Sequence, residues 1–157
     1  ADSGILFLDE ISSMPVDMQA KLLRAIEEQA FRRVGGTNLI KVDVQILAAS
    51  NRDLPTMLRE GNFREDLYYR LKVVDLDIPP LRAHKEDIPA LVGLFVQHNN
   101  QRMGLNISDI SERAMQALMQ HNWPGNIREL RNVIERAMLF CDDAIIDLPH
   151  LSPEFQP

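Results

Sequence analysis

The sequence predicts an α/β domain built on a parallel sheet, followed by an all-helical segment. Two observations carry this prediction. As far as Leu81, short apolar runs that are typical of buried strands alternate with helical patterns. After Pro79-Pro80 the apolar residues recur only at helical spacing. Continuously apolar strands separated by helices are typical of a parallel sheet that is covered on both faces.

Three strands and two helices are predicted in the first part. The strands are Ile5–Leu8, Val42–Ala49 and Val73–Ile78. A helix is expected from Pro15 to Gln29, because proline suits a first turn and apolar residues recur along one face. That apolar stripe consists of Met18, Leu22, Leu23 and Ile26. Gly35-Gly36 predicts a tight turn, and a short helix is expected over Phe63–Leu71.

The second part predicts three helices and a tail. The first contains the amphipathic stretch Ile88–Val96 and is expected to end at a glycine, Gly104. Ser111 is the predicted N-cap of the second helix, and Asn126 that of the third, with an acid at capping-box spacing. The predicted organisation is an α/β part over residues 1–82, a helical part over 83–147 and a linker over 148–157.

Composition and charge exclude several classes of function. The chain has 157 residues and a net charge of −6, which argues against nonspecific nucleic-acid binding by the whole segment. Its single cysteine, Cys141, excludes an internal disulfide and a multi-cysteine zinc site, and a reducing cytosol is the simplest compartment. The first apolar run is too short to span a membrane. Because no initiating methionine precedes this run, we expect the chain to be an excerpt of a longer one.

Two adjacent acids, Asp9 and Glu10, follow the first predicted strand. In open α/β sheets, ligands bind at the carboxyl ends of the strands. Phosphoryl transfer needs one carboxylate for a metal ion and one group to orient water, and Mg²⁺ would offset the cost of two adjacent carboxylates. The alternative is that the acids precede a helix, such as the one at Pro15, as acids often do.

Four other polar residues are candidates for the same site. Asn51 ends the second strand and could orient a water molecule, unless its segment is ordinary turn chemistry. Arg64 and Arg70 lie on the short helix, where they are either surface ion-pair partners or arginine fingers. Arg128 lies in the first turn of the last helix, where a cation and a helix N-terminus together make an anion site. Its alternative role is an ion pair with Glu129 or another acid.

Seven segments stand in a particular order along the chain. They are Gly4–Ile11 (GILFLDEI), Gln19–Arg24 (QAKLLR), Arg33–Thr37 (RVGGT), Ala48–Leu54 (AASNRDL), Asn62–Leu71 (NFREDLYYRL), Pro79–Pro89 (PPLR and EDIP within it) and Trp123–Leu130 (WPGNIREL). In this order they resemble the central AAA+ domain of sigma-54-dependent transcriptional activators, the bacterial enhancer-binding proteins. Each segment is weakly specific alone, whereas seven in the family's order are very specific. The resemblance extends from the start to about residue 150.

The resemblance implies roles for the candidate residues. Asp9 would hold Mg²⁺ as part of Walker B, and Glu10 would position the attacking water. Asn51, in sensor I, would sense the γ-phosphate. The two arginines of the short helix, Arg64 and Arg70, would act on ATP bound by the neighbouring subunit. Arg128, in sensor II, would contact nucleotide from the helical lid.

The resemblance also implies partners. Such activators form hexameric rings, hydrolyse ATP at subunit interfaces and remodel the closed complex of RNA polymerase and sigma-54. Enhancer DNA would be bound by a domain outside this chain, and some relatives carry a response-regulator receiver domain. We find neither a receiver domain nor a helix-turn-helix in this sequence.

Two motifs of the family are absent from the sequence, the phosphate-binding loop GxxxxGK[ST] and the sigma-contacting loop GAFTGA. The family's strand that leads into the phosphate loop lies between the strands ending at Asn51 and Ile78, and it is absent as well. We therefore predict that the 157-residue chain by itself hydrolyses no ATP and that its sheet has unpaired edges. The alternative function is a non-catalytic AAA+ assembly module, although all six candidate residues are present.

Overall fold

The computed structural model describes residues 2–156, which divide into two compact units between Leu76 and Asp77. Unit 1 contains both α-helices and β-strands, and unit 2 is mainly helical. The α/β class with a following helical part is thereby confirmed. No helix within residues 2–156 is long and apolar enough to cross a membrane.

Unit 1 contains four strands and three helices. In chain order they are β1 (Gly4–Leu8), α1 (Val16–Glu28), β2 (Ala30–Arg32), β3 (Leu39–Lys41), β4 (Val44–Ala48), α2 (Leu54–Arg59) and α3 (Glu65–Leu71). The predicted first helix is present, with Pro15 as its N-cap rather than in its first turn. Helix α2 is not predicted from the sequence. Asp53 caps this helix by accepting a hydrogen bond from the Thr56 N–H at 2.9 Å.

Strands β1 and β4 pair in parallel, in a register that sets Gly4 opposite Val44 and Leu8 opposite Ala48. Both strands therefore run toward the same edge and end together. The pair is not covered on both faces within the described residues, because Ile5 is 65% exposed and Phe7 is 54% exposed. This part of the sequence prediction is wrong for residues 2–156.

The predicted third strand, Val73–Ile78, is also absent. Its apolar side chains Val73, Val74, Leu76 and Ile78 are each at least 77% exposed. A strand is stabilised by a ladder of hydrogen bonds with a neighbour, and among residues 2–156 no strand pairs with this segment. The alternating pattern therefore indicates a preference for β structure, but the segment has no neighbouring strand to pair with among residues 2–156.

Strands β2 and β3 form an antiparallel hairpin. Its connection contains the predicted turn, in which the Gly36 N–H donates to the Arg33 carbonyl at 2.9 Å. Gly35 has a φ of 74°, a left-handed conformation that glycine adopts without steric cost. The prediction of a tight turn at Gly35-Gly36 is confirmed.

Unit 2 is organised around three helices and a short parallel strand pair. Its elements are α4 (Ile88–Met103), β5 (Asp109–Ile110), α5 (Glu112–Gln120), α6 (Asn126–Leu139) and β6 (Ile145–Ile146). All three predicted helices are present. One continuous apolar core joins them, and its fully buried side chains include Ile88, Val92, Leu118, Trp123, Leu130, Ile134 and Met138.

Two predicted helix boundaries in unit 2 are confirmed. Helix α4 ends at Gly104, which has a φ of 69° and whose N–H donates to the Asn100 carbonyl. Ser111 is the N-cap of α5, and its side chain accepts a hydrogen bond from the Ala114 N–H. Both boundaries follow local rules for helix ends, which is why the sequence alone predicts them.

The tail is not a linker. Residues 148–150 and 153–155 form two short 3₁₀ turns, and Leu151 and Phe155 are buried in the core of unit 2. The Phe155 ring lies 5.6 Å from Trp123 and 4.9 Å from His121, measured between ring centroids. Prolines make the segment aperiodic, but its large apolar residues Leu148, Leu151 and Phe155 all pack on the core of unit 2. The tail is therefore a packed part of unit 2.

Candidate active site

Asp9 and Glu10 directly follow β1, at the edge where β4 also ends. The ladder extends beyond both strands, because the Ala49 N–H donates to the Leu8 carbonyl and the Ile11 N–H donates to the Ala49 carbonyl, each at 2.9 Å. Asp9 and Glu10 thus lie in a segment whose backbone is tied to β4 on both sides. Both side chains are exposed. The backbone is fixed while the carboxylates remain accessible to a ligand.

The two acids do not serve as helix caps for α1. The N-cap of that helix is Pro15, and the Glu10 side chain makes no capping bond to the short 3₁₀ turn that follows it. Asp9 Oδ1 accepts one hydrogen bond, from the Glu10 N–H at 2.9 Å. Glu10 has a φ of 50°, which is unusual for a residue other than glycine. Neither carboxylate therefore caps α1 or the 3₁₀ turn, although both acids precede these elements in the chain.

Asn51 follows the end of β4 and is joined to the loop after the acids. Ser12, which is buried, donates from its Oγ to Asn51 Oδ1 at 3.2 Å. The turn chemistry of this segment uses other side chains: Ser50 Oγ bonds the Arg52 backbone, and Asp53 caps α2. The Asn51 side chain is therefore hydrogen-bonded to the loop that follows Glu10, and not to its own turn.

The donors at this edge suit Mg²⁺ better than a metal that needs a complete protein cage. No group of three or more His, Cys, Asp or Glu side chains within residues 2–156 comes together as a metal site. Mg²⁺ keeps several waters and binds through one or two carboxylates together with substrate phosphates. Asp9, with an exposed carboxylate at the end of a parallel strand, fits that requirement.

Arg64 and Arg70 lie at opposite ends of α3. Arg64 is its N-cap residue, and its guanidinium forms two hydrogen bonds with the Asp66 carboxylate, at 3.0 Å from Nε and 2.6 Å from Nη2. The hydrogen bond that Arg64 donates to Asp66 raises the pKa of Arg64 and lowers the pKa of Asp66. The predicted alternative of surface ion pairing is thus observed for Arg64. Arg70 is exposed, and no ion pair to it occurs within residues 2–156.

Gln19 is a residue at this site that the sequence reading did not single out. Its side chain is fully buried and makes hydrogen bonds to three backbone groups, those of Met14, Asn62 and Arg64. A signal was present in the sequence. Gln19 stands three, four and seven residues before the apolar positions 22, 23 and 26, so it shares their face of α1. A polar residue on an apolar helix face indicates a buried hydrogen-bonding role.

The start of α6 differs from the sequence prediction. Asn126 is not the cap: Gly125 is the N-cap residue, and its N–H donates to Glu129 Oε2 at 2.7 Å. Asn126 already belongs to the helix, with a φ of 51°, and its Oδ1 accepts a hydrogen bond from the Leu81 N–H at 2.9 Å. The prediction failed because Asn126 bonds a residue 45 positions away, which no local rule reveals.

Arg128 lies in the first turn of α6 and is exposed. It is not paired with Glu129, whose carboxylate accepts the Gly125 N–H instead. No ion pair involving Arg128 occurs within the described residues. An open groove runs beside this face of α6, lined by Gly125, Arg128, Glu129, Asn132, Val133, Arg136, Ser152 and Glu154. A free guanidinium at a helix N-terminus in a groove is suited to an anion.

Comparisons with known families match the two units in turn. Residues 1–77 match the family described as the Sigma-54 interaction domain, and residues 82–157 match the AAA+ ATPase lid domain. Regulatory protein AtoC of Escherichia coli (strain K12) is 50% identical over 156 residues, which are 99% of this chain and 34% of AtoC. Nitrogen fixation protein AnfA of Azotobacter vinelandii is 47% identical over 156 residues, 99% of this chain and 29% of AnfA. The chain therefore spans about a third of the length of these relatives.

Solved structures give the same result. NtrX from Brucella abortus in complex with ADP superimposes with a TM-score of 0.94 at 43% identity, covering 100% of this chain and 37% of NtrX. NtrX from the same organism in complex with ATP gives a TM-score of 0.94 at 43% identity, covering 99% of this chain and 37% of that one. The chain belongs to the sigma-54-dependent transcriptional activators, as a segment of their sigma-54 interaction domain together with the AAA+ lid.

Proposed function

We propose that this chain contributes the water-activating part of an ATP-hydrolysis site to an AAA+ transcriptional activator. One observation carries the proposal. Asp9 and Glu10 follow β1 while Asn51 follows β4, and these strands are parallel and end at the same edge. The Ser12–Asn51 hydrogen bond joins the two segments beyond the strands. Acids and an amide at that edge are the groups that a γ-phosphate and its attacking water require.

Each of the three residues has a separate role. Asp9 would hold Mg²⁺, and the ion when bound would neutralise negative charge on the phosphates of ATP. Glu10 accepts a hydrogen bond from the attacking water and orients it toward the γ-phosphate. Asn51 bonds the γ-phosphate or the same water through its amide. Its link to Ser12 keeps that amide next to the loop of Glu10.

Arg64 and Arg70 act on the nucleotide of a neighbouring subunit. A guanidinium that approaches the γ-phosphate stabilises the charge that develops during phosphoryl transfer. Arg64 is fully charged, and its ion pair with Asp66 is at the surface, where such pairs contribute little to stability. Exchanging that carboxylate for a phosphate therefore costs little. Arg70 has no ion pair within the described residues that would compete with a phosphate.

Arg128 contacts nucleotide from the lid. Its exposed guanidinium and the backbone N–H groups at the start of α6 both favour an anion. The similarity to NtrX, whose structures contain ADP and ATP, supports nucleotide binding by this region.

At the level of the whole protein, ATP turnover drives the remodelling of a complex of RNA polymerase and sigma-54 by a hexameric ring in the cytoplasm. Enhancer DNA is bound by a domain outside this chain. The match to the Sigma-54 interaction domain supports the sigma-54 partner. By itself the 157-residue chain turns over no ATP, since its sequence contains no GxxxxGK[ST] loop to cradle the phosphates.

The test is ATP turnover by the full-length protein with Glu10→Ala. Loss of the residue that orients water lowers kcat by at least about a hundredfold, while binding of a fluorescent ATP analogue is retained. Glu28→Ala removes an exposed acid from the end of α1 and is the matched control, with turnover unchanged. Unchanged kcat in Glu10→Ala would refute the assignment.

A second test determines which subunit's nucleotide Arg64 acts on. Arg64→Ala subunits retain their own Glu10, and Glu10→Ala subunits retain Arg64, so each variant alone has a strongly reduced but measurable kcat. Mixed rings regain turnover if Arg64 acts across the subunit interface. Mixed rings, verified by native mass spectrometry, in which kcat stays reduced would contradict the action in trans.

A further inference from the structure

Gln19 is a fully buried amide that joins three separate backbone segments. Its Nε2 donates to the Met14 carbonyl at 2.8 Å and to the Asn62 carbonyl at 3.2 Å, and its Oε1 accepts from the Arg64 N–H at 2.9 Å. No part of the residue is exposed to solvent. A buried amide with both Nε2 donors and its oxygen engaged is expensive to move, because each lost bond leaves a desolvated polar group.

Two of these bonds fix the segment that leads into α3. The Asn62 carbonyl and the Arg64 N–H, on either side of Phe63, are both held by the same amide. The preceding part of the segment is tied to α2, because the Asn62 N–H donates to the Met57 carbonyl at 2.9 Å. The Phe63 ring is buried in the core of unit 1. The hydrogen bonds to Gln19 and Met57 and the burial of Phe63 therefore fix the position of this segment.

The consequence falls on Arg64. Its carbonyl accepts the Tyr68 N–H inside α3, and its N–H is held by Gln19, so both backbone polar groups of Arg64 are bonded. Its side chain is partly exposed, and within residues 2–156 its ion-pair partner is the surface carboxylate of Asp66. The backbone of Arg64 is thus fixed while its guanidinium is free to change partners. An arginine that extends to a neighbouring subunit needs both a fixed backbone and a movable side chain, because a misplacement of about 1 Å can lower a rate about a hundredfold.

We propose that Gln19 is the positioning residue for Arg64: it fixes the start of α3 so that the guanidinium reaches the neighbouring subunit's nucleotide. The inference rests on the proposed function, in which Arg64 acts in trans. Gln19 itself touches neither ATP nor the reacting atoms.

The third hydrogen bond of Gln19 supports a competing role. Through the Met14 carbonyl, Gln19 is also linked to the loop that follows Glu10. If that bond dominated, Gln19 would support the nucleotide site of its own subunit. The two roles differ in which subunit's ATP they affect, and subunit mixing separates them.

The principal variant is Gln19→Met in the full-length protein, which keeps the side-chain length and removes all three hydrogen bonds. We expect kcat for ATP to fall about ten- to a hundredfold with KM unchanged, a smaller loss than in Arg64→Ala. Gln101→Met, at an exposed glutamine of α4, is the matched control and leaves kcat unchanged. A fall in kcat that comes with loss of ring assembly does not count as positioning.

Two readouts distinguish positioning from a structural contribution. In an Arg64→Ala background, Gln19→Met should lower kcat no further, because the group that it positions is gone; effects that multiply would overturn the proposal. Rings mixed from Gln19→Met and Glu10→Ala subunits should regain activity, as Arg64→Ala mixtures do. Absence of rescue, with Arg64→Ala mixtures rescued in parallel, would assign Gln19 to its own subunit's site and overturn the proposal.

The proposal and the proposed function fail in different ways. Unchanged kcat in Arg64→Ala would remove the function assigned to Arg64, whereas reduced kcat in Arg64→Ala with normal kcat in Gln19→Met would remove only the role of Gln19. If Gln19→Met does not fold, Gln19→Asn replaces it, because the shorter amide keeps polarity but cannot span all three partners. If neither variant assembles into rings, Gln19 is a folding residue and the proposal is wrong.

Discussion

Replacing Phe155 by alanine should destabilise unit 2 by about 3 kcal/mol, in the range measured when buried phenylalanines are truncated. The residue lies in the segment that the sequence predicts to be a linker, yet its side chain is only 7% exposed. It packs in the core against the rings of Trp123 and His121. If the tail is a packed part of the unit, the substitution must have the cost of a core truncation.

The magnitude follows from the buried surface. A phenylalanine buries at least about 150 Å², and at about 25 cal/mol per Å² that surface contributes roughly 4 kcal/mol. Alanine retains part of it, which lowers the expected loss. The contact between the Phe155 and Trp123 rings adds about 0.5–1.5 kcal/mol beyond area. Because the tail can relax more easily than an internal segment, we expect a value at the lower end of the range of about 3–5 kcal/mol for Phe→Ala.

The assay is urea unfolding of the chain, followed by tryptophan fluorescence. Trp123 is the single tryptophan, lies fully buried in unit 2 and contacts Phe155 directly, so its emission reports this unit alone. Phe140→Ala is the matched control: Phe140 is 63% exposed, and its truncation should cost less than about 1 kcal/mol. A loss below about 1 kcal/mol in Phe155→Ala, similar to the control, would show that the tail is a linker after all.

The remaining predictions concern unit 2 and use the same unfolding assay. Glu129→Ala should lower the free energy of unfolding by about 1 kcal/mol, because it removes the acceptor of the Gly125 N–H at the start of α6. Glu129→Gln keeps an acceptor oxygen and should lower it less. Equal losses in the two variants would contradict a capping role for Glu129. Hydrogen bonds from Ser111 and then from the Leu148 N–H lower the pKa of Asp147 below its ordinary value of 3.8. The stabilisation by this carboxylate is complete above that value and is lost as the pH falls through the lowered folded-state pKa. In Asp147→Asn the free energy of unfolding should therefore fall less steeply below about pH 4 than in the unsubstituted chain. The same pH dependence in both proteins would refute this role of Asp147.

Local chemistry accounts for what the sequence predicts well. Gly104 ends α4, Ser111 caps α5 and Gly35 allows its turn because each of these features depends on a few neighbouring residues. The edge of the sheet with Asp9 and Asn51 is predictable for a related reason. Polar residues directly after two parallel strands must lie at the same edge, whatever the rest of the fold.

What the sequence does not predict depends on partners far along the chain. The amide of Asn126 bonds a backbone group 45 residues away, so a capping rule assigns it wrongly. Val73–Ile78 has a strand pattern, but a strand needs a neighbour, and none pairs with it within residues 2–156. Phe155 packs against Trp123 and His121, which lie more than 30 residues before it in the chain. In each case the local pattern is satisfied and the tertiary context decides.

The candidate residues of each unit, taken separately, follow the same design. Asp9 and Glu10 lie in a backbone tied to β4, and the backbone of Arg64 is held by Gln19. Helix α6 is anchored two residues before Arg128 by the hydrogen bond that Asn126 accepts from Leu81. The charged ends themselves are exposed and make at most a surface ion pair. If these side chains were locked to one another, a nucleotide would have to break buried ion pairs before binding, which is costly. Because only the backbone is fixed, the positions are set in advance while the charged groups stay accessible, as the proposed roles of these residues require.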